Sequence, residues 1–261
     1  MRAILVSVDY ADILALTLPL NRHHFSDVMV VTTPKDFETL HVATANECRT
    51  HVTDSFYADG AVFNKWRALE EGLDQFGRRG LLCIMDADVL WPKLIPKVDP
   101  PQGTLMSPLR RMMEQVTLPL PLEQHWDKYP IHRNVNEWAG YTQIFWANDP
   151  ALGHPPWHDV KWSHAGGADS FFQQKWHASK KIRPPWECLH LGPAGANWYG
   201  RASAYLDQER LGATPASAGE KARLIAAMWA KRRRLRAEGR DQFEGERIGE
   251  TRAPQEPEEQ L

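Results

Sequence analysis

The sequence predicts an α/β protein with a mostly parallel sheet flanked by helices, and three observations carry that prediction. Short, nearly continuous apolar runs at residues 4–8, 28–31 and 81–85 suit strands buried on both faces. Helical patterns separate them, which is the alternation of a layered α/β fold. Polar residues close each run: Asp9-Tyr10, Thr32-Thr33 and Asp86-Ala87-Asp88. In open α/β sheets the ligand crevice lies beyond the carboxyl ends of the strands, so these three ends are expected to line one cleft.

The elements follow in order. After the second run, Thr33-Pro34 reads as an N-cap with proline at the first helical position, opening a helix to about Ala45. Val62, Phe63, Trp66, Leu69, Leu73 and Phe76 recur at helical spacing, which predicts an amphipathic helix over 61–76 that ends at Gly77 to Gly80. The third strand covers 81–85, and the chain breaks again at Pro92. Residues 92–135 are rich in proline and are expected to form long loops. A further strand is expected over 139–146, a helix start at Asp169 after Gly166-Gly167, and a last short strand over 189–191.

The C-terminal part changes character. Leu224, Ile225, Met228 and Trp229 sit at helical spacing and lead into the basic run Lys231-Arg232-Arg233-Arg234. Beyond Gly239 the chain is Glu, Gln, Pro and Arg with almost no apolar residue, which predicts disorder. The expected organisation is a catalytic domain over 1–205, a helical basic segment over 206–238 and an acidic tail over 239–261.

Composition narrows the function classes. The chain has 261 residues, 43% of them hydrophobic and 25% charged, enough for one large domain with a real core. A net charge of -2 supplies no global field toward nucleic acid or anionic membrane. The three cysteines, Cys48, Cys83 and Cys188, form no CxxC pair, which argues against a zinc cluster or a disulfide framework and for a reducing cytoplasm. No apolar stretch is long enough for a membrane span. The eleven tryptophans suit either a core or a site for sugars or bases.

The carboxylate pair Asp86 and Asp88 carries the chemistry. In an extended chain, residues two apart point to one side, so both carboxylates can face a single ligand. Mg2+ and Mn2+ prefer carboxylate and phosphate oxygens. A cation held between protein and diphosphate stabilises the charge that builds on a departing nucleoside diphosphate. Asp-x-Asp also caps helices and forms turns, so the pair alone does not decide. Downstream, His190 ends an apolar stretch and is followed by Gly192, Gly195, Asn197 and Trp198. A neutral imidazole can complete a metal shell, and glycines let backbone N–H groups approach a phosphate.

The stretch from Asn64-Lys65-Trp66 through Asp86-Ala87-Asp88 resembles the donor-binding half of the GT-A-fold glycosyltransferases. The resemblance covers about residues 1–200, through the order of short motifs. It implies a GT-A-like, Rossmann-like mixed sheet and a C-terminal helical appendage. It also implies Mn2+ or Mg2+ as cofactor and a nucleoside-diphosphate sugar, a UDP-sugar first among them, as donor. By that resemblance Asp88 binds the metal and Asp86 the metal and donor. Asp9 and Tyr10 fall where the family holds the nucleoside base, and Lys65 where a basic residue approaches the donor. His190 matches a late third metal ligand. Gly192, Gly195, Asn197 and Trp198 follow it much as in some retaining members, without their Lys-Pro. Asp169 matches the catalytic base of inverting members, although an aspartate there is equally a helix cap. Gly140-Tyr141-Thr142-Gln143 falls where sugar or acceptor contacts lie, and Trp138 and Tyr141 are candidates to stack on a sugar face. The expected activity is transfer of a sugar to an acceptor hydroxyl on a small molecule, a glycan or a lipid-linked acceptor. One alternative is the same chemistry on a hydroxylated DNA base, with Lys231, Arg232, Arg233 and Arg234 holding phosphates. Another is a non-catalytic nucleic-acid-binding protein whose Asp86-Ala87-Asp88 is only a turn.

Overall fold

The computed structural model describes residues 1–132, 138, 140–193, 197, 198, 200 and 201. The expected helical segment over 206–238, with Lys231 to Arg234, and the expected tail over 239–261 lie outside the described residues.

The chain begins with three parallel β–α units. Strand β1 (Arg2–Val6) leads into helix α1 (Ala11–Asn21), β2 (Asp27–Thr32), helix α2 (Phe37–Ala45), β3 (Arg49–Val52), helix α3 (Lys65–Phe76) and β4 (Leu81–Asp86). Short strands β5 (Val89–Leu90), β6 (Leu105–Met106) and β7 (Leu109–Met113) follow, then β8 (Thr142–Trp146), helix α4 (Ala168–Phe172), β9 (Lys181–Ile182) and β10 (Glu187–Leu191). Seven strands form the main sheet in the order β3-β2-β1-β4-β8-β6-β9. All its pairs are parallel except those of β8 with β4 and β6. A second sheet has the order β5-β10-β7. The α/β class with a mostly parallel sheet stands. Among the described residues no helix is long and apolar enough to cross a membrane.

The sheet is buried on both faces, and the two-residue period of its strands shows it. Ala3 and Leu5 of β1, Val28 and Val30 of β2, and Cys83 and Met85 of β4 pack into one cluster with Ile13, Leu14 and Leu18 of α1. Their alternates Ile4, Val6, Met29, Val31, Leu82 and Ile84 pack on the other face with Trp66, Leu69 and Leu73 of α3. Gly72 lets α3 lie close on that face, since a Cβ there would stand 2.6 Å from Cγ2 of Val31.

The order of β1 between β2 and β4 creates the point where the sheet reverses its direction of winding, and the crevice of such a sheet opens there. Val6 is in register with Asp86, so the ends of β1 and β4 meet at the mouth. Because β8 runs antiparallel to β4, its first residues, not its last, reach the same end.

Several boundaries differ from expectation. Strand β1 runs over Arg2–Val6, so Ser7 and Val8 already belong to the loop. Helix α2 is capped by Asp36, whose side chain accepts from the Thr39 N–H, and not by Thr33. Helix α3 starts at Lys65 with Asn64 as its cap, while Ser55–Gly60 forms a separate 3₁₀ turn before it. Helix α1 and strand β3 carried no sequence expectation. Within the proline-rich 92–135 region, β7 is a true strand because it pairs with β10.

Candidate active site

The site is built on the turn after β4. Asp86 ends the strand and Ala87-Asp88 makes a turn into β5, so the two carboxylates do not meet through an extended i, i+2 geometry as expected. They converge because β10 folds over the turn. His190 is in register with Val89, and the Leu191 N–H donates to the Asp88 carbonyl at 2.8 Å. The result is one ligand atom each from Asp86, Asp88 and His190, all within 4.8 Å of one another.

The donor set fits a divalent cation. His190 Nδ1 lies 3.2 Å from the Gly192 carbonyl, which can only accept, so Nδ1 is the donor in that contact. Nε2 is left facing Asp88 Oδ1, 3.5 Å away. Asp88 Oδ1 is buried without a hydrogen-bond partner. Nε2 and Oδ1 thus stand across a gap in which a cation could be held by both. The other oxygen, Oδ2, accepts from the Tyr10 hydroxyl at 3.1 Å. Burial and the charge of Asp86 raise the Asp88 pKa, and His190, Tyr10 and Lys65 only partly oppose this.

Lys65 opens α3 and its ammonium binds Asp86 Oδ1. Burial alone would lower its pKa, but Asp86, with Asp169 and Asp88, outweighs burial and holds it above the ordinary lysine value. Asp169 lies in the first turn of α4. Its Oδ2 accepts from the Gly140 N–H at 2.7 Å and its Oδ1 from the Ser170 N–H at 2.9 Å. Burial, and the nearby Asp86, raise its pKa against the opposing pull of Gly140 and Lys65, which makes it a stronger base than a free carboxylate. A Cβ on Gly140 would stand 2.8 Å from Asp169 Oδ2, so the glycine is what lets the carboxylate sit there.

The remaining expectations divide. Asp9 adopts a left-handed φ of 53°, with its N–H on Asp36 Oδ2 at 2.8 Å and its carbonyl receiving Arg201 at 2.6 Å. Tyr10 is buried, its hydroxyl committed to Asp88 and its ring faced by Arg201 at 5.0 Å. Gly192 closes the His190 turn with a φ of 90° and donates its N–H to Met113. Asn197 keeps a buried Oδ1 without a hydrogen-bond partner. Trp198 is half-exposed and lies on Gly166, where a Cβ would meet its ring at 2.6 Å. Gly195 lies outside the described residues. Thr32 and Thr33 do not line the cleft with free hydroxyls. Both are buried, and Thr32 is spent on Asp36. Tyr141 cannot stack on a sugar, because it is buried with its hydroxyl on the Pro108 carbonyl and Arg110 over its ring. Trp138 has Arg183 stacked on it at 3.8 Å.

Sequence reasoning missed three supports. Asp36 binds Asp9, Thr32 and Thr39 together. Arg201 forks onto both oxygens of Asp12 at 2.6 Å and so ties the segment after His190 to the start of α1. Glu70 of α3 accepts from the N–H groups of Trp157 and His158 and from the His158 ring, and pairs with Arg78. His158 is stacked between Trp66 and Phe172, which joins α3 to α4 and hence Lys65 to Asp169. Only the helical position of Glu70 amid buried neighbours signalled it.

No protein-family model matches the chain, and no curated protein matches it. Solved structures do. The chain is similar to glucosyl-3-phosphoglycerate synthase from Mycobacterium tuberculosis, in complex with Mn2+, UDP-glucose and glycerol 3-phosphate, at 11% identity, with 81% of this chain and 74% of that one covered and a TM-score of 0.45. It is similar to mannosyl-3-phosphoglycerate synthase from Rubrobacter xylanophilus at 17% identity, covering 98% and 78% with a TM-score of 0.40. A mycobacterial protein matches at 11% identity and a TM-score of 0.41, and there this chain spans only 64% of the matched chain. With scores and identities this low, the activity of the chain rests on the chemistry of its own site.

Proposed function

We propose that the chain is a metal-dependent glycosyltransferase that moves a sugar from a nucleoside-diphosphate sugar to an acceptor hydroxyl. The observation that carries this reading is the Asp86, Asp88 and His190 cluster at the reversal point of the sheet, with a carboxylate oxygen that lacks a hydrogen-bond partner facing the imidazole Nε2. Those three side chains would hold Mn2+ or Mg2+. Such an ion supplies positive charge to the departing diphosphate.

The chain's own residues do the rest. Tyr10 fixes the orientation of Asp88 through its hydroxyl, and the Gly192 carbonyl fixes the tautomer of His190. Lys65 fixes Asp86 and brings a cation to the donor side. Asp169, held by two backbone N–H groups and made more basic by burial, takes the proton of the acceptor hydroxyl. On the same reading Asp9 and Tyr10 are assigned to the nucleoside, and Asn197 and Trp198 to the diphosphate. A UDP-sugar is the donor class proposed.

The test is calorimetric titration with UDP and other nucleoside diphosphates, with and without Mn2+, on the wild type and on Asp88→Ala. Mn2+-dependent binding that is absent in the variant supports the reading. No binding of any nucleoside diphosphate to the wild type overturns it.

A further inference from the structure

The segment after His190 crosses the mouth of the crevice. The Trp198 carbonyl accepts from the Ala165 N–H at 2.8 Å, and its ring lies on Gly166, just ahead of α4. Gly200 takes a φ of 85° and rests on Phe63, just ahead of α3, where a Cβ would stand 3.9 Å from that side chain. Arg201 reaches the loop after β1 and the first turn of α1. These anchors adjoin the elements that carry Asp169, Lys65 and Tyr10, all at the end of the sheet where the crevice opens.

The anchor at Arg201 sits on the groups assigned to the nucleoside. Its guanidinium donates to the Asp9 carbonyl and to both Asp12 carboxylate oxygens, each at 2.6 Å. The same group lies over the Tyr10 ring, 5.0 Å from its centre, and Tyr10 is buried. A planar base and a planar guanidinium cannot share one place on that ring, so a nucleoside reaches it only when the fork opens. Opening is within reach of a ligand. The Arg201 and Asp12 side chains are 16% and 30% exposed, so water takes up both charges as the fork parts, and such pairs hold less firmly than buried ones. The β1 loop on the other side is fixed, because the Asp9 N–H on Asp36 Oδ2 holds its left-handed turn. Arg201 is therefore the side that moves.

We propose that the Arg201–Asp12 fork is a latch over the nucleoside end of the site, and that a nucleoside-diphosphate donor binds by displacing the Arg201 guanidinium. This rests on the glycosyltransferase reading and on its assignment of Asp9 and Tyr10 to the nucleoside. A donor that meets a closed latch binds with an affinity reduced by the fraction of molecules in which the latch stands open.

The experiment is calorimetry on the full chain with UDP and Mn2+, comparing the wild type with Arg201→Ala and Asp12→Asn. Either substitution parts the fork, but the two change the charge beside a polyanionic ligand in opposite directions. The first removes a cation and the second an anion. Both are expected to tighten UDP–Mn2+ binding about tenfold, as when a state that withholds ~90% of the molecules is removed. Weaker binding by Arg201→Ala makes Arg201 a donor contact or a simple charge and overturns the latch, whatever Asp12→Asn does. Unchanged affinity in both variants overturns it too. A second measurement uses the wild type alone and so serves where a variant does not fold. Trypsin cuts after Arg201 only when that side chain is free, so UDP–Mn2+ is expected to speed the appearance of the 1–201 fragment in mass spectra. A donor that slows this cut, or leaves its rate unchanged, overturns the proposal. If no nucleoside diphosphate binds the wild type or either variant, the glycosyltransferase reading falls together with the latch. Binding that ignores the fork overturns the latch alone.

Discussion

Replacing Glu70 by glutamine tests whether the site depends on the buried brace behind it. Glu70 is 4% exposed. Its Oε1 accepts from the His158 N–H at 3.0 Å and from His158 Nδ1 at 2.6 Å, and its Oε2 from the Trp157 N–H at 3.0 Å and from Arg78 at 2.8 Å. Glutamine keeps one acceptor oxygen and turns the other into an NH2 group facing donors. Whichever way the amide points, a buried backbone N–H loses its acceptor and Arg78 loses its buried counter-charge, keeping only the exposed Asp74. Removing one partner of a buried ion pair typically destabilises by ~3 to 5 kcal/mol, part of which is the unmet N–H at ~1 to 3 kcal/mol. For a domain of this size the midpoint of thermal unfolding then falls by about 6 to 20 °C. Scanning calorimetry reads it, with near-UV circular dichroism to confirm that the fold is kept at low temperature. The pH dependence has a defined sign. Burial alone would raise the Glu70 pKa, but the His158 hydrogen bond and the charges of His158 and Arg78 lower it below the ordinary carboxylate value. A depressed folded pKa contributes stability above the unfolded value that is lost as pH falls toward the folded one, so the gap between wild type and variant narrows in acid. A midpoint within about 3 °C of wild type at neutral pH would refute the reasoning.

Three further outcomes are expected. Tyr10→Phe removes the 3.1 Å hydrogen bond to Asp88 Oδ2 and should weaken Mn2+ binding about tenfold, as measured by calorimetry, with little change in the unfolding midpoint. Gly140→Ala puts a Cβ 2.8 Å from Asp169 Oδ2, so turnover should fall by at least about tenfold while UDP–Mn2+ affinity holds; unchanged turnover argues against Asp169 as the base. Burial, with the neighbouring His23, lowers the His24 pKa from 6.5 to about 4, so the unfolded chain binds the proton first and stability is lost as pH falls from 6.5 toward 4. His24→Phe should remove about 1 kcal/mol of that loss, allowing for screening of the half-buried ring, and urea unfolding at several pH values reads the difference.

The parallel core was legible because its strands are buried on both faces and read as unbroken apolar runs. Helix α3 was legible because Trp66, Leu69, Leu73 and Phe76 mark one stripe. Helix α1 was not, because it is apolar nearly all round and carries Pro19, so it shows no stripe. Strand β3 was hidden by Arg49, Thr50 and His51, which suit an exposed edge. At the site, Asp86, Asp88 and His190 could be named from residue type and order. How they meet could not, since it depends on β10 pairing with β5 across about a hundred residues of chain. Glu70 was legible only as a helical position amid buried neighbours, because its partners Trp157, His158 and Arg78 are supplied by the tertiary fold.

The Arg201 fork closes a circuit. From Asp12 and the Asp9 carbonyl it reaches over Tyr10, whose hydroxyl holds Asp88, which faces His190, from which the chain leads back to Arg201. A closed circuit obeys thermodynamic reciprocity: whatever factor the fork would add to the affinity of the proposed Asp88 site for a cation, the cation would add to the closure of the fork. Occupancy of the proposed centre and closure of the Arg201 fork are then two readings of one equilibrium.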